Sequence, residues 1–397
     1  MLPLRALRQS SRVTAVAGFA LLALLGTAGG VAIASAGSGH GIDVTRTGCA
    51  RGWVPPKSGT DTFEVTNRTK YTVDVQLQGT ENERVYGEIF TLDAGTAMPM
   101  VATLEPGLYT WQCASVTQSI WTSRSGRVTG PTVANPTPSY MPVGPDDLDA
   151  AVGTYRNSVT AGLVTLVADT NRLGTLVDSG QMAQATKQWL VAHLDYARLG
   201  AAYDTFGPFA DEIDGRTSGL PGGVDNPNFT GFLKVEFELW HGQPEAAVKA
   251  SVTQLGSFVH GLQAAFPHQL MINTDLPLRT HEILENALQF ELTGQTDEGS
   301  NTNLATVSAN FQGDEMTLNA IEPLLVTRDP QLLQSLQAGL SGLQAIVMHY
   351  RLPDGWWVPV QNLSTSQREQ LDAAMDNVLE QSSLVPDQLR LFSVGAD

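Results

Sequence analysis

The chain has 397 residues, 42% of them hydrophobic and only 16% charged, a composition that excludes intrinsic disorder and allows two or three domains with cores of their own. Its formal net charge is -17; three of its 23 basic residues (Arg5, Arg8 and Arg12) sit in the first dozen positions, leaving 20 basic against 40 acidic groups beyond them. A surface this acidic repels phosphate backbones and excludes nucleic acid as a partner, while it suits either the attraction of cations or the plain solubility of a secreted protein.

After Arg12 the stretch 13–37 carries no charge and is centred on Leu21-Leu22-Ala23-Leu24-Leu25. A basic flank followed by an apolar run is an export signal, and Ala34-Ser35-Ala36 has the small-x-small form a signal peptidase accepts. The run is also long enough to span a bilayer as one helix. Residues 1–37 are therefore a signal peptide or an amino-terminal membrane anchor. Either way, the arginines stay on the cytoplasmic side and the rest of the chain lies outside, in the periplasm or at the cell surface.

Residues 41–130 form a predicted β domain. Apolar and polar side chains alternate over 62–67 and 73–78, as in half-buried strands, and further short strands follow at 88–92, 98–104 and 108–113. Asp93-Ala94-Gly95 and Glu105-Pro106-Gly107 supply turns between them, and several strands at this spacing indicate a sandwich or barrel. The chain has only two cysteines, Cys49 and Cys113, which in an oxidising compartment are most simply a disulfide.

Gly107-Leu-Tyr109-Thr-Trp-Gln-Cys113 resembles the last strand of the cupredoxins, in which the Cys binds copper. A type 1 copper site also needs two imidazoles and usually a weak axial Met. Here Cys113 is followed by Ala-Ser-Val-Thr-Gln-Ser and no His occurs between 41 and 192, so the expectation is a cupredoxin-like sandwich without that site, with Cys113 paired to Cys49. Asp74, Glu81, Glu83 and Glu88 form a secondary acidic group on this domain, either a hard-cation site or a solvated loop.

Five prolines between 131 and 146 mark a semi-rigid linker. From 147 to 390 the apolar period becomes helical, with helices expected near 147–177, 182–206, 229–240, 245–266, 277–292, 304–325, 330–350 and 364–384. Short connections between them imply an all-α up-and-down bundle.

Two stretches of this half carry candidate chemistry, Gly231-Phe-Leu-Lys-Val-Glu-Phe-Glu-Leu-Trp-His-Gly242 and Arg279-Thr-His-Glu-Ile-Leu-Glu-Asn-Ala-Leu-Gln-Phe290. His281 and Glu285 are four apart and share a helix face, with Glu282 one position round. Glu236 falls on the inward side if Phe232, Leu239 and Trp240 define the core edge. Acids and imidazoles on facing helices are how bundles build metal sites, although the same spacing also describes a solvated face.

The order of these features resembles the EfeO type of iron-uptake component, in which a cupredoxin-like domain precedes an imelysin-like helical domain. The resemblance runs from Cys49-Ala-Arg-Gly-Trp53 through Pro106 to Cys113, Tyr155, His193-Leu-Asp-Tyr-Ala-Arg198 and 206–216 to Asn310-Phe-Gln-Gly313 and Tyr350-Arg-Leu-Pro-Asp-Gly355. It implies capture of iron outside the membrane and delivery to an iron permease, with a haem peroxidase as third component of an EfeUOB-like system. Copper and zinc stay open as competing metals.

The family's Gly-x-His-x-x-Glu motif falls on Gly231-Phe-Leu-Lys-Val-Glu236, so Leu233 stands where the His belongs while Glu236 is retained. The candidate metal ligands are Asp195, Glu236, His281, Glu282 and Glu285. Two rival readings follow. One is an extracytoplasmic binding or adhesion module that kept the fold and lost the metal. The other is a metallopeptidase, which lacks a His-Glu-x-x-His helix because His281-Glu282-Ile-Leu-Glu285 ends in Glu. A Gly-x-Ser-x-Gly nucleophile elbow is missing as well, so no enzymatic activity is expected.

Overall fold

The computed structural model describes residues 40–115 and 118–392, and the expected leader, 1–37, lies outside them. Among the described residues nine strands come first: β1 (His40–Thr45), β2 (Gly48–Arg51), β3 (Gly59–Asn67), β4 (Val73–Gly79), β5 (Val85–Leu92), β6 (Ala97–Leu104), β7 (Gly107–Ser115), β8 (Gln118–Thr122) and β9 (Gly126–Val128). One sheet has the order β2-β1-β3-β6; the other has β5-β4-β7-β8, with β9 also pairing with β7. Among these strands β1 and β3 run parallel and the remaining pairs are antiparallel.

Alternate residues of both sheets, among them Ile42, Val44, Phe63, Val65, Val75, Leu77 and Trp111, meet in one buried core. Trp111 lies edge-on to Phe63, with ring centroids 5.3 Å apart. Cys49 of β2 is disulfide-bonded to Cys113 of β7, Cα to Cα 5.6 Å, so the bridge staples one sheet to the other and occupies the sulfur that a copper site would need. The proline-rich stretch does not swing free: Thr137 N–H donates to Thr103 O, and Tyr140 exchanges backbone hydrogen bonds with Val85.

The second half is helical: α1 (Pro145–Asp178), α2 (Met182–Ala197), α3 (Tyr203–Phe206), α4 (Pro208–Asp214), α5 (Gly231–Trp240), α6 (Glu245–Ala265), α7 (Leu276–Asn286), α8 (Asn303–Arg328), α9 (Pro330–Met348), α10 (Thr365–Ser382) and α11 (Val385–Gln388). The β-then-α order read from the sequence is the observed one. Helix ends follow local chemistry. Gly180, at φ 70°, turns the chain after α1, and Gln181 N–H donates back to Leu176 O. Asp329 caps α9 through Leu332 N–H, and Ser364 with Gln367 forms a capping box on α10.

Helix α1 packs on α2 and α6, α8 on α7 and α9, and α9 on α10, around a continuous apolar core. The predicted helix over 277–292 departs from the simple period: α7 ends at Asn286 and a π-helical turn, Ala287–Glu291, follows. Among the described residues no helix is long and apolar enough to cross a membrane.

Two arginines of the helical half reach the sandwich. The Arg328 side chain is 2% exposed; its Nη2 lies 3.6 Å from Glu88 Oε1 and its guanidinium stacks 3.8 Å over the Tyr140 ring. Arg390 faces Asp74 at 4.0 Å and lies over Phe90.

Candidate functional site

Helix α5 starts against the last turn of α4, and a glycine is required there. Gly231 has φ 82°, and a Cβ on it would stand 2.1 Å from Ile213 O. Thr230 Oγ1 donates to Glu212 O, fixing the same junction. The register so set turns Phe232, Val235 and Glu236 into the protein, and Glu236 is only 1% exposed.

Around Glu236 the fold gathers acids from separate elements. The loop before α8 folds back so that Ser300 N–H donates to Glu236 Oε1 at 2.8 Å. In that loop Asp297 accepts from Gly299 N–H and Thr302 N–H. Across the site His193, on α2, stacks on Trp189 one turn earlier, and Trp189 Nε1 donates to Phe232 O, tying α2 to α5. His193 Nε2 lies 3.2 Å from Asp214 Oδ1 at the end of α4. Glu291, on the π turn, accepts from the Thr296 hydroxyl and from Asn303 Nδ2.

The group holds four carboxylates against one imidazole, and its titration reflects that excess. Burial, with the nearby Asp297 charge, pushes Glu236 up to about 8, against the Ser300 hydrogen bonds and His193. Desolvation lifts Glu291 to about 7 and raises Asp297, with His193 opposing both shifts. Burial disfavours the charged form of His193, but Asp214, Glu236 and Glu291 together outweigh it and the net shift is upward. Glu236 Oε2 and His193 Nδ1 are buried without a hydrogen-bond partner among the described residues. Asp214, Glu291 and Thr296 line a cavity of about 200 Å³ that opens beside the cluster, with Tyr196, Tyr203 and Phe290 in its walls.

The predicted ligands do not meet in one place. Glu236 belongs to the cluster just described. Asp195 is held by Arg198 Nη1 at 2.6 Å, and burial with hydrogen bonding to Asp169 raises its carboxyl to about 6. Glu282 is paired with Arg279, which also binds Asp204 at 2.6 Å. His281 and Glu285 do share a face, with Nε2 3.1 Å from Oε1, but it is an outer face: they line an open groove against Asp376 and Glu380 of α10. In the sandwich the acidic group divides as well. Asp74 and Glu88 face Arg390 and Arg328, while Glu81 and Glu83 are in an exposed turn. As placed, no three His, Cys, Asp or Glu side chains among the described residues have metal-holding geometry.

Sequence reasoning missed His193, Asp214, Glu291 and Asp297 as members of the Glu236 cluster. A signal was present for the first: His193 follows Trp189 at helical spacing in an otherwise apolar stretch. The others sit on a two-turn helix, a π turn and a loop, where no period points inward.

No family model matches the chain. Among curated proteins it is similar to the iron uptake system component EfeO of Escherichia coli (strain K12), 23% identical over 322 residues that cover 79% of this chain and 82% of the relative. The proteins of that name from Shigella flexneri and Shigella sonnei match to the same extent. That similarity runs along most of the chain, through both its β half and the helical half that follows.

Proposed function

We propose that the chain is an exported component of an iron-uptake system, capturing iron outside the cytoplasmic membrane and passing it to a permease of the same system, with a haem peroxidase as a further partner. The role is binding and transfer, not hydrolysis. The observation that carries this reading is the cluster of Glu236, Asp214, Glu291, Asp297 and His193, which gathers four carboxyl groups around a single imidazole. Hard cations take oxygen ligands, and imidazole suits iron as well. The EfeO relatives are named for an iron uptake system, which fits an acid-rich centre of this kind.

In this reading Glu236, Asp214 and Glu291 supply oxygens, His193 supplies Nδ1 or Nε2, and the adjoining cavity is the way in. Because Glu236 and Glu291 keep protons near neutral pH, an arriving cation displaces protons as it binds. Asp195 and Glu282 are the weaker candidates, since Arg198 and Arg279 compete for their oxygens. His281 with Glu285 is a separate outer candidate. Leu233 in the motif's imidazole position favours a second reading, a binding module that kept the fold and lost the metal.

Titration calorimetry with ferrous and ferric iron, repeated with copper and zinc, distinguishes these. Wild type binds iron and releases protons; Glu236→Gln weakens binding about tenfold or more, and His281→Ala with Glu285→Gln leaves it unchanged. Wild type that takes up no iron removes the capture role and leaves the binding module. Loss of binding only in the His281 and Glu285 variant moves the site to the outer groove.

A further inference from the structure

A second pocket, of about 420 Å³, lies between α2, α8 and the turn that follows α9, away from the acidic cluster. We propose that it binds a small organic anion with a flat apolar body, an aromatic carboxylate. The floor comes from the sequence of α8: Ala305, Ser308, Ala309 and Gln312 fall on one face at helical spacing, and the two alanines leave room that larger side chains would fill. The apolar walls are Leu190 and Leu194 of α2, Met348 at the end of α9, and Trp356 with Trp357.

The tryptophans are held on a built turn. Asp354 Oδ1 accepts from Trp356 N–H, Leu352 N–H donates to Trp356 O, and Gly355 takes φ 90°. Trp356 also meets Trp240 edge-on at 6.1 Å, so its ring has a fixed orientation. A rigid aromatic wall facing aliphatic side chains selects a flat ligand.

Charge supplies the second half of the recognition. In a chain of net charge -17, three cations line this one pocket: Lys187, Arg198 and Arg351. Arg198 is committed to Asp195 and Gln312. Lys187 and Arg351 make no ion pair with any described residue, and both stand exposed at the rim, with Asp354 the one carboxylate in the lining. Ser308 adds a hydroxyl: it accepts from Gln344 Nε2 at 2.8 Å, while its own donor finds only the Met348 sulfur at 4.0 Å, a weak acceptor. A carboxylate held between Lys187 and Arg351, with its ring against Trp356, satisfies these groups together.

Titration calorimetry on the full chain, with naphthoate as the probe, tests this. Naphthoate is expected to bind saturably, and neutral naphthylmethanol and inorganic phosphate at least about tenfold more weakly, because each lacks one half of the recognition. Lys187→Glu with Arg351→Glu changes only exposed side chains and is expected to abolish naphthoate binding with the melting temperature unchanged. Ala309→Leu fills the floor and is expected to do the same if it folds. Three results overturn the proposal: no saturable naphthoate binding by wild type, equal binding of phosphate, or undiminished naphthoate affinity in the double charge-reversal variant.

Discussion

Among the described residues of the sandwich, the buried polar side chains are Asn67, Gln76, Gln78 and Ser115, all neutral; the bundle buries His193, Glu236, Glu238 and Asp314. The two halves also differ in how these groups are satisfied. Asn67 donates to Tyr71 O and Leu92 O and accepts from Thr69 N–H, so its polarity fixes a turn and nothing is left over. Glu236, Glu238 and Asp314 each keep a buried carboxylate oxygen, and His193 a ring nitrogen, without a partner among the described residues. A small two-sheet core reinforced by a covalent staple has little room for uncompensated charge. The long helices bury far more apolar surface, and that surplus offsets the cost of holding acids inside. Chemistry is to be sought where the fold carries a cost it does not need for folding.

The largest way to test that division is to remove the staple. The bridge closes a loop of 64 residues, and its loss as Cys49→Ser with Cys113→Ser is expected to cost about 4 kcal/mol. Urea unfolding should show the sandwich melting early while the helical circular dichroism signal holds. Loss of both signals together would mean that the two halves unfold as one unit. Arg328 bears on the same point. It is buried against Glu88 and Tyr140 and also donates to Gln388 O, so Arg328→Met leaves Glu88 without its cation and is expected to cost about 3 kcal/mol. Thermal melts of Arg328→Met, Glu88→Gln and the double variant give the coupling: the double variant should cost less than the two singles added.

The sequence showed the helical half best where a long apolar stripe defined an inside. Glu236 could be turned inward because Phe232 marks the core edge of α5 on the same side. The same kind of spacing put His281 and Glu285 on one face of α7 but could not say which neighbour that face meets, and it meets the α10 groove. Asp195 carried its own warning, since Arg198 is three positions on and takes its oxygen. Asp214, Glu291 and Asp297 left no trace: whether a side chain on a two-turn helix, a π turn or a loop points inward depends on tertiary contacts, not on period. In the sandwich, β1 and β2 went unread because six and four residues beside a Gly-rich stretch give too short an alternation, although Ile42 and Val44 are fully buried.

The buried acids also predict how stability changes with pH. Glu236 and Glu291 are raised to about 8 and about 7, so between pH 5 and 8 the folded state binds more protons than the unfolded chain, which titrates near 4.5. His193, also raised, acts in the same direction. Their contribution is full at low pH and is lost as pH rises through the folded values, so the metal-free protein should weaken from pH 5 to 8. Glu236→Gln keeps an acceptor for Ser300 N–H and removes the charge. It is expected to flatten that decline and to stabilise the metal-free protein at pH 8 by roughly 2 kcal/mol, read from urea midpoints across the range. A variant as pH-sensitive as wild type would place the burden on other groups.

The smallest expected change tests the Gly-x-His-x-x-Glu pattern that the resemblance places on 231–236, because it adds an imidazole where this chain has leucine. Leu233 and Glu236 are three apart on α5 and therefore share a face, and Leu233 is 1% exposed, so a histidine there sits inside the protein beside the acids. If the cluster holds iron through oxygens and His193, a second imidazole adds a ligand, and Leu233→His should tighten iron about tenfold, near 1.4 kcal/mol. The substitution also buries a polar ring in place of an alkyl chain, so the metal-free form should melt lower and the iron-loaded form recover the difference. That opposite movement of the two melting curves is the informative outcome. A variant that melts lower in both forms, with unchanged iron affinity, would mean that position 233 does not face the ion and that the acids around Glu236 bind without help from that turn of the helix.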